Sequence, residues 1–281
     1  MTEKGKSIAL IGSGAMGEAA IVGLLTKNFT APENIHASDP VTARLTDLHQ
    51  RYGITPHADN NSAVQGADLV LLAVKPQKLD KVLNGLRNQI PEEALVLSII
   101  AGATIQTISE GLNHDAIVRA MPNTPAQIGQ GITVWTSSPA VSPQQAELAR
   151  QVLSALGQEI FMEEEYYLDM ATALSGTGPG YVFLFMEALI DAGVHMGFPR
   201  RIAEQLVTQT ILGSVSYYEK NGIHPAQLRN QVTSPGGTTA EALYYLDKAG
   251  FRTAISRAVW AAFERSQELG KGMNSKPPEK L

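Results

Sequence analysis

SIALIGSGAMG, residues 7–17, decides the fold of this 281-residue chain. Ser7 to Ile11 is a short apolar run of strand formers, and Gly12-Ser13-Gly14-Ala15-Met16-Gly17 follows it directly. Ala19, Ala20, Val22, Leu24 and Leu25 then suit a packed helix over 18–27. Strand, GxGxxG and helix in that order form a dinucleotide-binding unit. Gly12 permits the tight turn, Gly14 admits a pyrophosphate to the backbone, and Gly17 lets helix and strand pack closely. The helix N-terminus offers unpaired N–H groups to phosphate.

The alternation continues outward from this unit. Residues 35–39 (IHASD) read as the second strand, which ends at Asp39, 22 positions after Gly17 (39 − 17). A carboxylate there favours a free ribose 2′-hydroxyl. It equally suits the cap of a helix that begins near Val41. Residues 68–74 (DLVLLAV) and 95–100 (LVLSII) are near-continuous apolar runs, as in strands buried on both faces of a parallel sheet. A helix over 77–88, a strand at 117–120, an edge strand at 131–137 and a last strand at 159–162 complete an α/β Rossmann-like domain. Ligands bind beyond the carboxyl ends of such strands. Residues 13–16, 38–39, 73–76, 101–102 and 121–125 therefore converge on one crevice.

From Glu163 the pattern becomes helical, which gives three segments: 1–163, 164–270 and a disordered tail over 271–281. Tyr167 to Leu174 reads as a helix interrupted by SGTGPG at 175–180. Tyr181 to Met196 is apolar almost all round, with Glu187 and Asp191 as exceptions. Such a helix must be buried, by its own domain or by another copy. Arg200–Lys220 and Phe251–Leu269 read as further helices. In the loop VTSPGGTT (232–239), Ser234 and Pro235 suit an N-cap and first-turn proline, and Gly236 and Gly237 leave N–H groups open to a carboxylate.

Composition narrows the function. Net charge is −5 with 22 basic and 27 acidic residues, against a general nucleic-acid binder. There are no cysteines, which excludes disulfides, thiolate nucleophiles and Cys-based zinc sites. The six histidines form no HxxxH pair, so no metal site is expected. No run approaches the roughly 20 apolar residues of a membrane span. A cytoplasmic protein is the expectation.

Seven segments together resemble the pyrroline-5-carboxylate reductase family: IGSGAMG (11–17), AVKPQ (73–77), IAGAT (100–104), RAMPNTP (119–125), SGTGPGYVF (175–183), DAGVHMGFPR (191–200) and VTSPGGTT (232–239). The resemblance implies a Rossmann domain followed by an all-α dimerisation domain, in homodimers that can build larger assemblies. It implies reduction of 1-pyrroline-5-carboxylate to L-proline, the last step of proline biosynthesis, with NADPH. By resemblance Gly12, Ser13, Gly14, Ala15, Met16, Gly17, Ser38, Asn60, Ala73, Val74, Lys75, Pro76 and Ala101 line the cofactor site, together with Asp39. Gly237, Thr238 and Thr239 hold the substrate, with Ser234 nearby, and Thr239 is the expected catalytic hydroxyl. Lys75 is expected to position cofactor or loop.

Two positions depart from the family pattern. Asp39 stands where some relatives carry a second serine that meets the 2′-phosphate, so NADH is admitted beside NADPH, and Gln231 stands where some carry Asn. Rival readings are an imine reductase for another cyclic imino acid and a non-catalytic nucleotide-binding regulator. A β-hydroxyacid dehydrogenase relies on a lysine in its interdomain helix, and 167–196 contains none.

Overall fold

The computed structural model describes residues 5–270. Two compact units are present: one runs up to Thr177 and resumes at Ala261, the other is Gly178–Trp260.

The first unit is built on an eight-stranded sheet. Its elements begin β1 (Ile8–Ile11), α1 (Ala15–Thr26), β2 (Ile35–Ser38), α2 (Thr42–Tyr52), β3 (Thr55–His57), α3 (Asn60–Val64), β4 (Leu69–Leu72) and α4 (Leu79–Leu86). They continue with β5 (Leu95–Ser98), α5 (Ile105–Leu112), β6 (Ile117–Met121), β7 (Gly131–Ser137), α6 (Pro143–Ser154), β8 (Gly157–Phe161) and α7 (Tyr167–Ala171). The strand order is β3-β2-β1-β4-β5-β6-β7-β8. The first six of these are parallel, the Rossmann order with its switch point between β1 and β4.

Successive residues of the central strands enter opposite layers. Leu10, Leu69, Leu71 and Leu97 pack with Ile21, Leu24 and Leu153 on one face. Ile11, Val70, Leu72 and Val96 pack with Val82, Leu86 and Ile108 on the other. Both faces are covered, so these strands lack the polar alternation of a one-sided sheet.

Four expectations need correction. β7 is antiparallel to β6 and is not the edge, because β8 pairs along its other side. The link between β6 and β7 spans only 122–130, too short for the crossover that a parallel return requires. β3 adds an unforeseen edge strand. It has three residues, and Pro56 is tolerated because an edge needs no second ladder of hydrogen bonds. The first helix begins at Ala15, so Gly17 lies inside it. The predicted break at 175–180 is instead a π turn over Thr172–Gly176, and the chain stays helical. There the Thr177 N–H reaches the Thr172 carbonyl at 2.8 Å, and the hydroxyls of Thr172 and Ser175 bond back to the carbonyls of Leu168 and Ala171. Such hydroxyl back-bonding accompanies distorted helical turns.

The second unit contains α8 (Gly178–His195), α9 (Arg200–Asn221), α10 (Pro225–Gln231) and α11 (Thr238–Lys248). α12 (Phe251–Gly270) begins in this unit and ends in the first. α8 and α9 meet where Gly193 lies against Ala203, and Arg200 pairs with Asp191 at 2.8 Å. Burial of α8 by its own domain is not observed: Phe183 and Leu184 are 61% and 67% exposed, with Val182, Phe185 and Leu189 also open. The helical run Tyr167–His195 has the length and mean hydropathy of a membrane span, but by composition alone. The tail 271–281 lies outside the described residues.

A histidine pair bridges β2 and β3, with His36 Nδ1 2.9 Å from His57 Nε2. Burial, then the charge of His57, pushes the His36 imidazole below its ordinary value. The unfolded chain therefore takes up a proton first, and stability falls as pH drops below about 6.5. Denaturant midpoints at pH 7.5 and 5.5 should differ more for the wild-type protein than for His36→Gln. Equal differences would remove His36 from the acid response.

Candidate active site

The carboxyl ends of β2, β1, β4 and β5 carry the first group of site residues. The Gly12 N–H donates to the Ser38 carbonyl at 2.9 Å, and the Ala73 N–H donates to the Ile11 carbonyl at 2.9 Å. These bonds tie the glycine loop to the ends of its neighbouring strands. Gly12 has φ +92°, and a methyl group there would meet Val74 Cγ1 at 2.8 Å and the Ala73 carbonyl oxygen at 2.9 Å. A methyl on Gly17 would come within 2.5 Å of the Gly12 carbonyl oxygen. Gly14 differs: a methyl there meets nothing within 4 Å. The loop is thus packed hard against the protein at both ends and open in the middle, as a phosphate cradle must be. Ala15, Met16 and Gly17 form the first turn of α1, whose N-cap is Gly14, and their N–H groups face the same opening.

Ser13 is fully buried, and among the described residues its Oγ has no partner. Its backbone is held from both sides. The N–H donates to Asp39 Oδ2 at 2.8 Å, and the carbonyl accepts from Arg44 Nε at 2.9 Å. Asp39 also caps locally, with Oδ1 accepting the Val41 N–H at 2.9 Å. The carboxylate thus braces the turn into α2, whose N-cap is Val41, and also reaches the glycine loop.

A cavity of about 470 Å³ brings Gly12, Ser38, Asp39, Asn60 and Val74 together. Asn60 is the first residue of α3, capped by Asp59, which accepts from the Ser62 N–H at 2.8 Å. Lys78 and Lys81 line the same cavity from the start of α4. Sequence reading missed both. Their signal was i, i+3 spacing just beyond AVKPQ, which only the strand order turns toward the nucleotide end. Ala73, Val74 and Lys75 form the turn after β4, and Pro76 opens a 3₁₀ turn. Pro76 and Ala101 line a neighbouring groove of about 260 Å³ with Leu269 and Gly270 of α12.

The second unit carries the remaining site residues, and its loop is not capped as the sequence suggested. The Gly237 N–H closes a turn on the Ser234 carbonyl at 3.0 Å, with Pro235 second and Gly236 third at φ +70°. This is a type II turn, in which a positive φ at the third position demands glycine. Ser-Pro is consumed by that turn, so the N-cap of α11 moves to Gly237 and the first helical residues are Thr238 and Thr239. Any side chain on Gly237 would collide with the Ser234 hydroxyl. With no cap side chain, the N–H groups of the first turn stay open to an anion, beside the hydroxyls of exposed Thr238 and half-buried Thr239. Gln231 ends α10 and is exposed.

Comparison with known proteins adds the remaining evidence of kinship. Residues 165–269 match the family model for pyrroline-5-carboxylate reductase dimerisation, and 7–102 match that for coenzyme F420-dependent NADP oxidoreductase. A pyrroline-5-carboxylate reductase of Synechocystis is 44% identical over 264 residues, covering 94% of this chain and 98% of the relative. The chain belongs to the pyrroline-5-carboxylate reductase family. A reductase of this name from Escherichia coli is 36% identical over 95% of this chain and 99% of its own. The crystal structure of the Plasmodium falciparum pyrroline carboxylate reductase with NADP bound superposes with a TM-score of 0.88 at 33% identity, over 95% and 99% of the two chains. Similarity at that level extends through both halves of the fold expected for a pyrroline-5-carboxylate reductase.

Proposed function

We propose that this chain reduces 1-pyrroline-5-carboxylate to L-proline with NADPH, and with NADH as a second donor. The observation that carries this reading is near full-length identity of 44% to a reductase of that name. The buried Ser13 hydroxyl, the open space at Gly14 and the cavity beside Asp39 suit a dinucleotide. Its nicotinamide supplies the hydride. Gly12 to Gly17 would hold the pyrophosphate, Ser38, Asp39 and Asn60 the adenosine side, and Ala73 to Pro76 with Ala101 the path toward the nicotinamide.

The substrate asks little acid–base work of the protein. Protonation of the ring nitrogen makes the imine carbon electrophilic. Hydride then joins that carbon as the C=N π electrons withdraw onto nitrogen, which leaves a neutral secondary amine. The residues contribute position, and position can be worth several kcal/mol of barrier. The open N–H groups at the start of α11 and the Thr238 hydroxyl would take the carboxylate. The Thr239 hydroxyl would bond the ring nitrogen and is the proposed catalytic residue, with Ser234 bracing the turn.

The same reading extends to assembly: a cytoplasmic homodimer, or a larger oligomer of dimers, with no membrane or nucleic-acid partner. The exposed apolar face of α8 lies in the stretch matched by the dimerisation family, which supports a second copy as its cover.

Oxidation of NADPH coupled to proline formation tests the activity. Thr239→Ala should lower kcat/KM by about 5- to 150-fold, the worth of one oriented hydrogen bond at about 1–3 kcal/mol, with an unchanged circular dichroism spectrum. An unaltered kcat/KM would remove Thr239 from the chemistry.

A further inference from the structure

Ser13 is gripped through both of its peptide groups. Its N–H donates to Asp39, and its carbonyl accepts from Arg44 Nε at 2.9 Å. That carbonyl belongs to a fully buried residue and plays no part in α1, whose first bond runs from the Glu18 N–H to the Gly14 carbonyl at 2.9 Å. The Ser13–Gly14 peptide is trans, so the Gly14 N–H points opposite to the Ser13 carbonyl and away from Arg44. No acceptor among the described residues meets it.

Packing does not hold this peptide in place. A methyl group on Gly14 would meet no protein atom within 4 Å, and Gly14 stands at φ −66°. Turning the peptide over would exchange its N–H for its carbonyl and carry Gly14 to positive φ, which glycine adopts at no steric cost. The glycine that leaves room for a phosphate therefore also leaves the peptide free to flip. A flipped peptide would present a carbonyl oxygen to an anion.

Arg44 is itself fixed. It is the third residue of α2, with Nη2 on Glu18 in the first turn of α1 and Nη1 on Asp47 at 3.4 Å. Glu18 also accepts from Tyr52 at 2.8 Å and pairs with Arg51 at 2.7 Å. Burial opposes the ionised form of Glu18, but hydrogen bonds from Arg44 and Tyr52 hold its carboxyl below the usual range. With its charge matched by Glu18 and Asp47, Arg44 offers the loop direction more than charge.

We propose that Arg44 is a positioning residue for the dinucleotide: its Nε–H, aimed by Glu18, locks the Ser13–Gly14 peptide with the Gly14 N–H turned to the pyrophosphate. This rests on the dinucleotide reading of the glycine loop and deepens it with a residue of α2.

Two substitutions separate the donor from the charge. Arg44→Met puts a methyl group where Nε stands. Arg44→Gln puts an amide N–H donor there and, like Arg44→Met, removes the guanidinium. Calorimetric titration should show NADPH bound about tenfold more weakly by Arg44→Met, the loss of one hydrogen bond to a charged acceptor, and within about threefold of wild type by Arg44→Gln. Adenosine 2′-monophosphate has the same adenosine end without the pyrophosphate, and should bind all three proteins within about twofold. In turnover, the loss in Arg44→Met should fall on KM for NADPH more than on kcat. In wild-type protein carrying isotope-labelled glycine, the Gly14 amide proton should move downfield as NADPH binds, a reading that needs no variant to fold. Unchanged NADPH affinity in Arg44→Met, or an equal loss in Arg44→Gln, overturns the proposal and leaves Arg44 a tie between helices. A Gly14 amide that does not respond to bound NADPH overturns it as well, and so does an equal weakening of adenosine 2′-monophosphate. Wild-type protein that binds no NADPH would instead refute the dinucleotide reading itself.

Discussion

Arg119→Leu is expected to destabilise the protein by about 3–5 kcal/mol, the usual cost of stripping one partner from a buried ion network. Arg119 projects from β6 with its side chain 4% exposed, and its two terminal nitrogens reach Glu165 Oε1 at 2.9 Å and Asp169 Oδ1 at 3.1 Å. Each carboxylate does further work. Glu165 Oε1 accepts the Ile105 N–H at 2.8 Å, fixing the first turn of α5. Asp169 Oδ1 accepts the Ser266 hydroxyl at 2.8 Å, fixing the end of α12. The substitution leaves two anions facing an apolar side chain. It also loosens the start of α5, which follows directly on the Ala101–Thr104 loop. Urea unfolding would read the loss as a lower midpoint with a similar slope. Ser266→Ala, which removes one neutral donor, should cost only about 1 kcal/mol. A loss below about 1 kcal/mol for Arg119→Leu would mean that the network is solvated and contributes nothing net.

This network was not legible in the sequence. Arg119, Glu165, Asp169 and Ser266 lie up to 147 positions apart (266 − 119), and no period or motif links them. The elements that could be read were those whose cause is local. DLVLLAV and LVLSII announce strands because both of their faces are buried, and GSGAMG announces a phosphate loop because its chemistry is in the backbone. β3 could not be read, since a three-residue edge strand containing Pro56 has neither length nor propensity. The orientation of β7 was hidden in loop length, and the π turn in a glycine-rich stretch that also reads as a break.

Site residues divide the same way. The glycine loop and the SPGGTT loop stand out because few sequences tolerate their backbone shapes. Even so, Ser234-Pro235 matched two local rules, and Gly236 at φ +70° decided for a turn over a cap. Asp39 could be singled out by its distance from the glycine loop, yet its contact with the Ser13 N–H depends on the pairing of β1 with β2. Arg44, Lys78 and Lys81 reach the glycine loop or the cavity beside it only through tertiary packing, which spacing alone does not specify.

Gly12→Ala and Gly14→Ala should separate folding from cofactor binding within three residues of chain. At Gly12 the native φ of +92° is strained for any L side chain, at about 1–3 kcal/mol. The added methyl also presses on the end of β4. Val74 Cγ1 at 2.8 Å can rotate away, but the Ala73 carbonyl at 2.9 Å cannot, because the Ala73 N–H is bonded to Ile11 in the sheet. Overpacking adds a further ~1–3 kcal/mol. The total, about 2–6 kcal/mol, is a cost to the folded chain and should appear as a lower melting temperature. At Gly14 the methyl meets no protein atom, and stability should fall by less than about 1 kcal/mol from the loss of a glycine N-cap. The same methyl enters the open space that the proposed dinucleotide site would give to pyrophosphate, so NADPH affinity should drop by at least about tenfold. Thermal unfolding and calorimetric titration of the two variants would therefore give opposite profiles. Equal melting temperatures and wild-type NADPH affinity in both would show that the loop is neither packed nor used as the geometry requires.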